Sequence, residues 1–310
     1  MTAHDPFILD RRRFLKLAGA TALAGALPGV AGAQAQAMHV RPIPSSGEEI
    51  PVIGLGTARE FDVAGDPESL APLKEVVAGL FARGGRVIDT SPMYGRAEAV
   101  LGEVLEATGL AEPAFVATKV WTRGREEGVR QMEASMALLR RQTVDLMQVH
   151  NLVDWPVHMD TLRAWKEEGR VRYTGMTHYR TDAFAELEAA VRAGRPDFMQ
   201  LNYSILTPDA EERLLPMAED LGVAVLVNLP YERGEVFRRV QGRELPPVAA
   251  ELGCESWGQF FLKWILGHPA VTCVIPGTSR PRHALDNAAA GFGPLPDAAQ
   301  RAEMRKAVGL

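Results

Sequence analysis

Apolar and polar positions follow two rhythms along this chain. Short runs of nearly continuous apolar, often β-branched residues recur, and longer stretches with apolar residues three or four apart lie between them. The short runs predict strands at Val52 to Ala58, from Arg86 through Val87-Ile88, and at Phe115 to Val120, Val144 to Val149, Val171 to Met176, Phe198 to Tyr203, Val223 to Leu229 and Val271 to Ile275. The spacing predicts a helix over Glu68 to Arg83, with Leu70, Leu73, Val76, Val77 and Leu80 on one face. Further helices are expected over Ala97 to Ala107, Glu126 to Arg141, Leu162 to Glu168, Asp182 to Ala193 (capped by Thr181 or Asp182), Ala210 to Leu221, Ser256 to Leu266, Arg282 to Ala290, and after Asp297. Residues 41–50 read as a linker or small hairpin, and 230–247 as a long connection.

Eight apolar runs, each followed by a helical stretch, predict parallel strands joined by crossover helices. Strands this apolar suit a sheet covered on both faces. Eight such units favour an α/β fold of the closed (β/α)₈, TIM-barrel type over an open doubly wound sheet. No G-x-G-x-x-G follows any strand, which counts against a Rossmann fold.

The first 37 residues break the pattern. Arg11-Arg12-Arg13-Phe14-Leu15-Lys16 leads a soft apolar stretch, Leu17 to Val30, which ends in Ala31-Gly32-Ala33 and Ala35-Gln36-Ala37. A basic start, an apolar middle and a small-residue ending are the parts of an export signal, and paired arginines before Phe-Leu-Lys resemble the twin-arginine type. A basic amphipathic arm or a membrane anchor is the alternative, but the stretch is short and glycine-rich for a span. The expectation is a signal over 1–37, engagement of the export machinery, a periplasmic or exported location, and a barrel over 38–310 without a stable membrane span. Two cysteines, Cys254 and Cys273, are too few for a disulfide framework and read as packing residues. A hydrophobic content of 46% and a net charge of −5, with no basic stripe, give no hint of nucleic acid.

In such a barrel the C-terminal ends of all strands meet at one mouth. Read in order, those ends carry Gly56-Thr57, Asp89 with Tyr94, Lys119, His150-Asn151, Thr177-His178, Gln200, Asn228 and Pro276-Gly277-Thr278. Taken singly, Asp89 with Lys119 suits a structural ion pair, Tyr94 a packed turn, and His150 a satisfied buried histidine. Taken together they suit protonation of an oxygen. A phenol ordinarily titrates near ~10, and an adjacent cation lowers that value. Lys119 is placed to do so, Asp89 to hold Lys119, and His150 to hydrogen-bond a carbonyl oxygen. His178 is a candidate for lining the site. His150 and His178 with Asp89 would invite a metal, but Lys119 would repel one, so no metal is expected. Trp121, Asn151, Trp155 and Tyr231 follow strand ends and are candidates for the substrate pocket, with loop packing as the alternative. No serine sits in a nucleophile-elbow context.

Ile88-Asp89-Thr90-Ser91-Pro92-Met93-Tyr94-Gly95, Ala117-Thr118-Lys119 and Gln148-Val149-His150-Asn151 closely resemble the aldo-keto reductases, as do Gly54-Leu55-Gly56-Thr57, Gln200-Leu201-Asn202-Tyr203-Ser204 and Ile275-Pro276-Gly277-Thr278. The resemblance runs from about Val52 to Asn287. It implies a (β/α)₈ barrel that reduces aldehydes or ketones to alcohols, with NADP(H) favoured and NAD(H) open. Tyr94 would be the general acid, Lys119 and Asp89 its tuners, and His150 the group that orients the substrate. The implied cofactor contacts are Gly56, Thr57, Thr177, His178, Gln200 (on the nicotinamide carboxamide), Leu229, Pro276, Thr278, Arg280, Asp286 and Asn287, the last two near adenine. The family's aromatic ring after strand seven is replaced by Asn228. Its phosphate-gripping Lys and Arg positions read Gly277 and His283, with Arg280 or Arg282 as substitutes. A barrel that binds a nucleotide or carbonyl ligand as a sensor or partner subunit is the alternative, and a lyase or isomerase without nicotinamide is a weaker one.

Overall fold

The computed structural model describes residues 37–310. The signal expected over 1–37 therefore lies outside the described residues except for Ala37. A hairpin opens the described chain: β1 (Val40–Pro42) pairs antiparallel with β2 (Glu49–Pro51). Strands and helices then alternate: β3 (Leu55–Gly56), α1 (Pro67–Ala82), β4 (Val87–Asp89), α2 (Ala97–Thr108), β5 (Phe115–Val120), α3 (Arg125–Leu138), β6 (Val144–His150) and α4 (Trp155–Glu167). The second half runs β7 (Val171–His178), α5 (Phe184–Gly194), β8 (Phe198–Asn202), α6 (Leu214–Leu221), β9 (Ala224–Asn228), then the short α7 (Glu235–Arg239) and α8 (Pro247–Glu251). It ends with α9 (Trp257–Leu266), β10 (Val271–Val274), α10 (Pro281–Ala289) and α11 (Ala298–Ala307).

The eight strands β3 to β10 pair in parallel in chain order. Bridges Ile53↔Val274 and Gly56↔Gly277 join the last strand to the first, so the sheet closes into the expected (β/α)₈ barrel. This closure explains why the expected strand Val52 to Ala58 shortens to Leu55–Gly56, because its remaining residues meet β10 through isolated bridges rather than a continuous ladder. The helix expected from Leu162 starts about two turns earlier, at Trp155 with Pro156 in its first turn, where a missing N–H costs nothing. Neither Thr181 nor Asp182 caps α5. They form a 3₁₀ turn instead, and Asp182 accepts from Arg180. Other ends follow simple capping chemistry. Asp66 accepts from the N–H groups of Glu68 and Ser69, Ser256 from Gln259, and Asp297 with Gln300 forms a capping box.

Side chains alternate in and out along each strand, and this divides the core in two. Outward residues such as Ile88, Val116, Met147, Val149 and Met199 pack with the helices in one large cluster. Inward residues form a separate inner cluster that includes Val87, Ala117, Leu146, Tyr173, Phe198 and Leu226. Ile43 and Ile50 of the hairpin join that inner cluster and plug the floor of the barrel. Each fully buried side chain of this size contributes roughly 1.5–3 kcal/mol. Two residues further along each strand, the same inward rows turn polar: Val87 gives way to Asp89, Ala117 to Lys119, Leu146 to Gln148 and then His150, Phe198 to Gln200, and Leu226 to Asn228. A dry floor beneath a polar mouth follows from strand periodicity alone. Cys254 and Cys273 are buried and free. Among the described residues, no helix is long and apolar enough to cross a membrane.

Candidate active site

The polar layer opens into a cavity of about 920 Å³, within the size range of small-molecule sites. Asp89 and Lys119 stand on neighbouring strands β4 and β5, and their ion pair is closed at 2.6 Å, with both side chains almost wholly buried. Lys119 Nζ also donates to the Thr90 carbonyl at 2.7 Å. Burial alone would lower the lysine, but Asp89 and then Tyr94 outweigh it, so Lys119 is held above its ordinary value. The ammonium lies behind the cavity wall rather than in its lining, 5.0 Å from the centre of the Tyr94 ring.

Tyr94 lies in the turn between β4 and α2 and lines the cavity. Gly95, at φ 59°, completes this turn. A Cβ there would lie 2.3 Å from Asp62 Oδ1, so the glycine lets the loop after β3 approach closely. Lys119 does pull the Tyr94 phenol downward, as the residue types suggest. Burial is larger, Asp89 adds to it, and the net shift is upward. The expected lowering is therefore overturned by desolvation, and Tyr94 carries its proton at neutral pH.

His150 ends β6 and meets Tyr94 edge-on, with ring centres 6.0 Å apart. Burial first, then the Lys119 and His178 charges, push its imidazole down to about 2. It is a neutral ring with one N–H. Nδ1 is 3.1 Å from Ser91 Oγ, so Nε2 is the nitrogen left to meet a ligand. Ser91 sits inside the quoted motif, yet its contact with His150 joins residues 59 apart in sequence and has no local signal.

The remaining candidates divide by position. Gly56, Thr57, Asn151, Thr177, Gln200 and Leu229 line the cavity, as do Tyr231, Thr278, Asp286 and Asn287. Asp286 accepts from Ser256 Oγ at 2.8 Å and Gln259 Nε2 at 2.7 Å, which fixes it to the start of α9. Tyr231, expected in the substrate pocket, lines the cavity and donates to Asn287 Oδ1 of α10 at 2.7 Å. His178 is outside the lining; it stacks on Tyr179, which is inside. Pro276 is buried and serves barrel closure, its carbonyl accepting from Gly56 N–H. Arg280 and Arg282 are exposed and outside the lining, while His283 is within it. Trp121 is exposed at the rim, 6.4 Å from the His150 ring. Trp155 does not reach the cavity. It packs at Gly194, because α4 begins earlier than its apolar spacing signals.

Several lining residues carried no signal in the sequence: Arg59 and Glu60 after β3, Tyr179, and Arg233 with Phe237 in the long connection. Left-handed backbone at Leu229, Glu232 and Arg233 turns that connection back over the mouth. Only Gly234, left-handed directly after them, marks the turn by its residue type; Leu229, Glu232 and Arg233 do not.

The buried polar atoms indicate what the cavity is built to hold. Gln200 Nε2 donates to Asp89 Oδ1 at 2.8 Å and to Gln148 Oε1 at 3.2 Å, while its Oε1 accepts from Thr177 and from Asn228 Nδ2. Both N–H groups of Gln200 therefore point inward. Thr57 Oγ1, Asn151 Oδ1 and Asn228 Oδ1 belong to lining residues and are buried without a partner. Such orphans cost stability unless a ligand meets them. A polar, hydrogen-bonding ligand such as a nicotinamide dinucleotide would fit this set of open atoms on Thr57, Asn151 and Asn228. Among the described residues, no group of three or more His, Cys, Asp or Glu side chains is arranged to hold a metal ion.

Comparison with known proteins agrees with the barrel fold. The chain is similar in fold to an aldo/keto reductase from Klebsiella pneumoniae solved with NADP and acetate, at 23% identity, covering 84% of this chain and 93% of that one with a TM-score of 0.70. A structure of an aldo-keto reductase from Klebsiella pneumoniae with NADPH matches at 21% identity over 88% of this chain and 95% of that one, TM-score 0.68. The holo form of an aldo-keto reductase from Bacillus halodurans matches at 22% identity over 87% and 96%, TM-score 0.68. Residues 52–307 match the sequence pattern of the aldo/keto reductase family. That span takes in every strand of the barrel and all four of Asp89, Tyr94, Lys119 and His150, and the chain belongs to the aldo/keto reductase family.

Proposed function

We propose that this protein reduces an aldehyde or ketone to an alcohol with NADPH, Tyr94 serving as the general acid. The observation that carries this reading is a phenol in the cavity wall with a buried ammonium 5.0 Å from its ring and the His150 imidazole edge-on at 6.0 Å. The bound dinucleotide supplies the hydride. His150 Nε2 orients the carbonyl oxygen, and Tyr94 gives that oxygen its proton as the carbon takes the hydride. The Lys119 charge stabilises the phenolate left behind until solvent returns a proton. Gly56, Thr57, Thr177, Gln200, Leu229, Thr278, Asp286 and Asn287 are the residues proposed to hold the dinucleotide, with Arg280 or Arg282 nearest to a 2′-phosphate. The relatives solved with NADP and NADPH favour the phosphorylated cofactor.

NADPH oxidation measured across a panel of aldehydes and ketones tests the reading. Turnover that disappears in Tyr94→Phe supports it, and wild-type rates in that variant would sink it. The proposal extends to location: the paired arginines and the small-residue ending before Met38 favour folded export, in which the dinucleotide travels bound. Fractionation of cells carrying Arg12→Lys/Arg13→Lys is expected to retain the protein in the cytoplasm. An unchanged periplasmic fraction would remove the export reading.

A further inference from the structure

We infer that Gln148 is a positioning residue of the reaction, holding Asp89, and through it Lys119, in register with Tyr94. Gln148 lies on β6, two residues before His150 and on the same inward row, with no exposed surface. The residue beneath it in that row is the apolar Leu146. Its amide crosses the barrel and donates from Nε2 to Asp89 Oδ1 at 3.0 Å. The other carboxylate oxygen, Oδ2, is taken by Lys119 at 2.6 Å.

The neighbouring strand is shaped around this side chain. Gly175 of β7 stands directly opposite Gln148 in the ladder. A Cβ at Gly175 would lie 2.7 Å from Gln148 Cγ and 3.1 Å from Leu146 Cδ1. Glycine inside a strand weakens it and marks a close approach by a neighbour. Here the neighbour is Gln148.

Charge fixes the direction of every bond in the network. A carboxylate only accepts, so Gln148 must present its N–H₂ to Asp89. Its Oε1 then faces Gln200 Nε2, whose second N–H also goes to Asp89 Oδ1. Asp89 thus meets one ammonium and two amides, and an amide bond to a charged acceptor is among the stronger kinds. Without Gln148, Oδ1 keeps only the Gln200 amide, and the carboxylate loses one of the two bonds that set its angle to Lys119. The groups around Lys119 are Asp89 on β4, Tyr94 in the following turn, Glu98 on α2 and His150 on β6. Asp89 is the charged group bonded to it, and the Thr90 carbonyl is its other acceptor.

This inference rests on the Tyr94 reading, and the experiment separates the two. NADPH binding and turnover of a carbonyl compound by the wild type are measured first; absence of turnover would remove the reading itself and this proposal with it. With turnover established, Gln148→Leu keeps the volume and removes the donor. It is expected to lower kcat at least about tenfold, to leave the dinucleotide dissociation constant within about twofold, and to move the alkaline limb of the kcat profile to lower pH. Gln148→Glu can donate to Asp89 only while its new carboxyl is protonated. Its kcat is expected to recover as pH falls, a dependence the wild type lacks. A Gln148→Leu enzyme with kcat within about twofold of wild type and an unmoved alkaline limb would overturn the inference. Should that variant fail to fold, a Gln148→Glu profile parallel to wild type would overturn it equally.

Discussion

The two walls of the cavity are built differently. On one side Asp89, Lys119, Gln148 and Gln200 sit on β4, β5, β6 and β8, buried and tied to one another at 2.6–3.2 Å, and His150 at the end of β6 is held by Ser91 at 3.1 Å. On the other side, around β9, β10 and α10, the wall is largely loop: Leu229, Arg233, Gly277 and Thr278, with exposed arginines outside and an unpartnered Asn228 Oδ1. The first wall is bonded within itself apart from His150 Nε2 and the neighbouring Asn151 Oδ1, which suits the proposed proton transfer, a step that depends on fixed distances and fixed charge. The second leaves polar atoms open, because a bound molecule must supply their partners. The comparison teaches that rigidity belongs where bonds change and adaptability where ligands are held.

The largest expected effect tests the rigid wall. Tyr94→Phe should lower kcat by about 10²–10⁴ while dinucleotide affinity, read by fluorescence titration, barely changes. A matching loss of affinity would mean that the phenol belongs to the binding wall instead. Next is Lys119→Met, which leaves Asp89 buried without its cation. It should cost about 3–5 kcal/mol of stability in denaturant unfolding, and adding Asp89→Asn should return much of that. Additive losses would show that the pair is not the unit it resembles.

A smaller effect concerns pH. His150 in the folded protein is pushed down to about 2, whereas an unfolded histidine titrates near ~6.5. The unfolded chain therefore binds a proton that the folded one refuses. The stability from keeping this ring neutral is fully present above the unfolded value and is lost as pH falls below it, by about 1.4 kcal/mol per pH unit. His150→Gln should flatten the unfolding free energy between about pH 6 and 4 relative to wild type; parallel curves would contradict the burial effect. The smallest expected change is on the open wall. Arg280→Ala with Arg282→Ala should weaken NADPH by only about two- to fivefold and leave NADH unaffected, as suits exposed charges. Equal losses for both dinucleotides would mean that these arginines do not meet the 2′-phosphate.

The same contrast governs what could be read in advance. The barrel was legible, since apolar runs of strand length alternate with helical spacing whatever the loops do, and Phe115 to Val120 forms β5 as the periodicity predicts. Asp89, Tyr94, Lys119 and His150 were legible as one group, because polar residues at the ends of apolar strands must meet at the mouth. Trp155 misled, since its place after β6 resembles a pocket residue, whereas α4 begins there and carries it to the helix shell. The downward shift expected for Tyr94 failed because neighbours can be guessed from residue types but desolvation cannot.

By itself, the sequence determined the barrel, its polar rim and the residue types of the reaction. These follow from periodicity and from strand direction, which are properties of the chain. Only the tertiary structure decided that Gln148 faces Asp89, that Gly175 makes room for it, that Ser91 meets His150 and that Tyr231 turns to Asn287. Those contacts join residues far apart in the chain. Burial and direction in space, unlike periodicity, exist only once the sheet has closed.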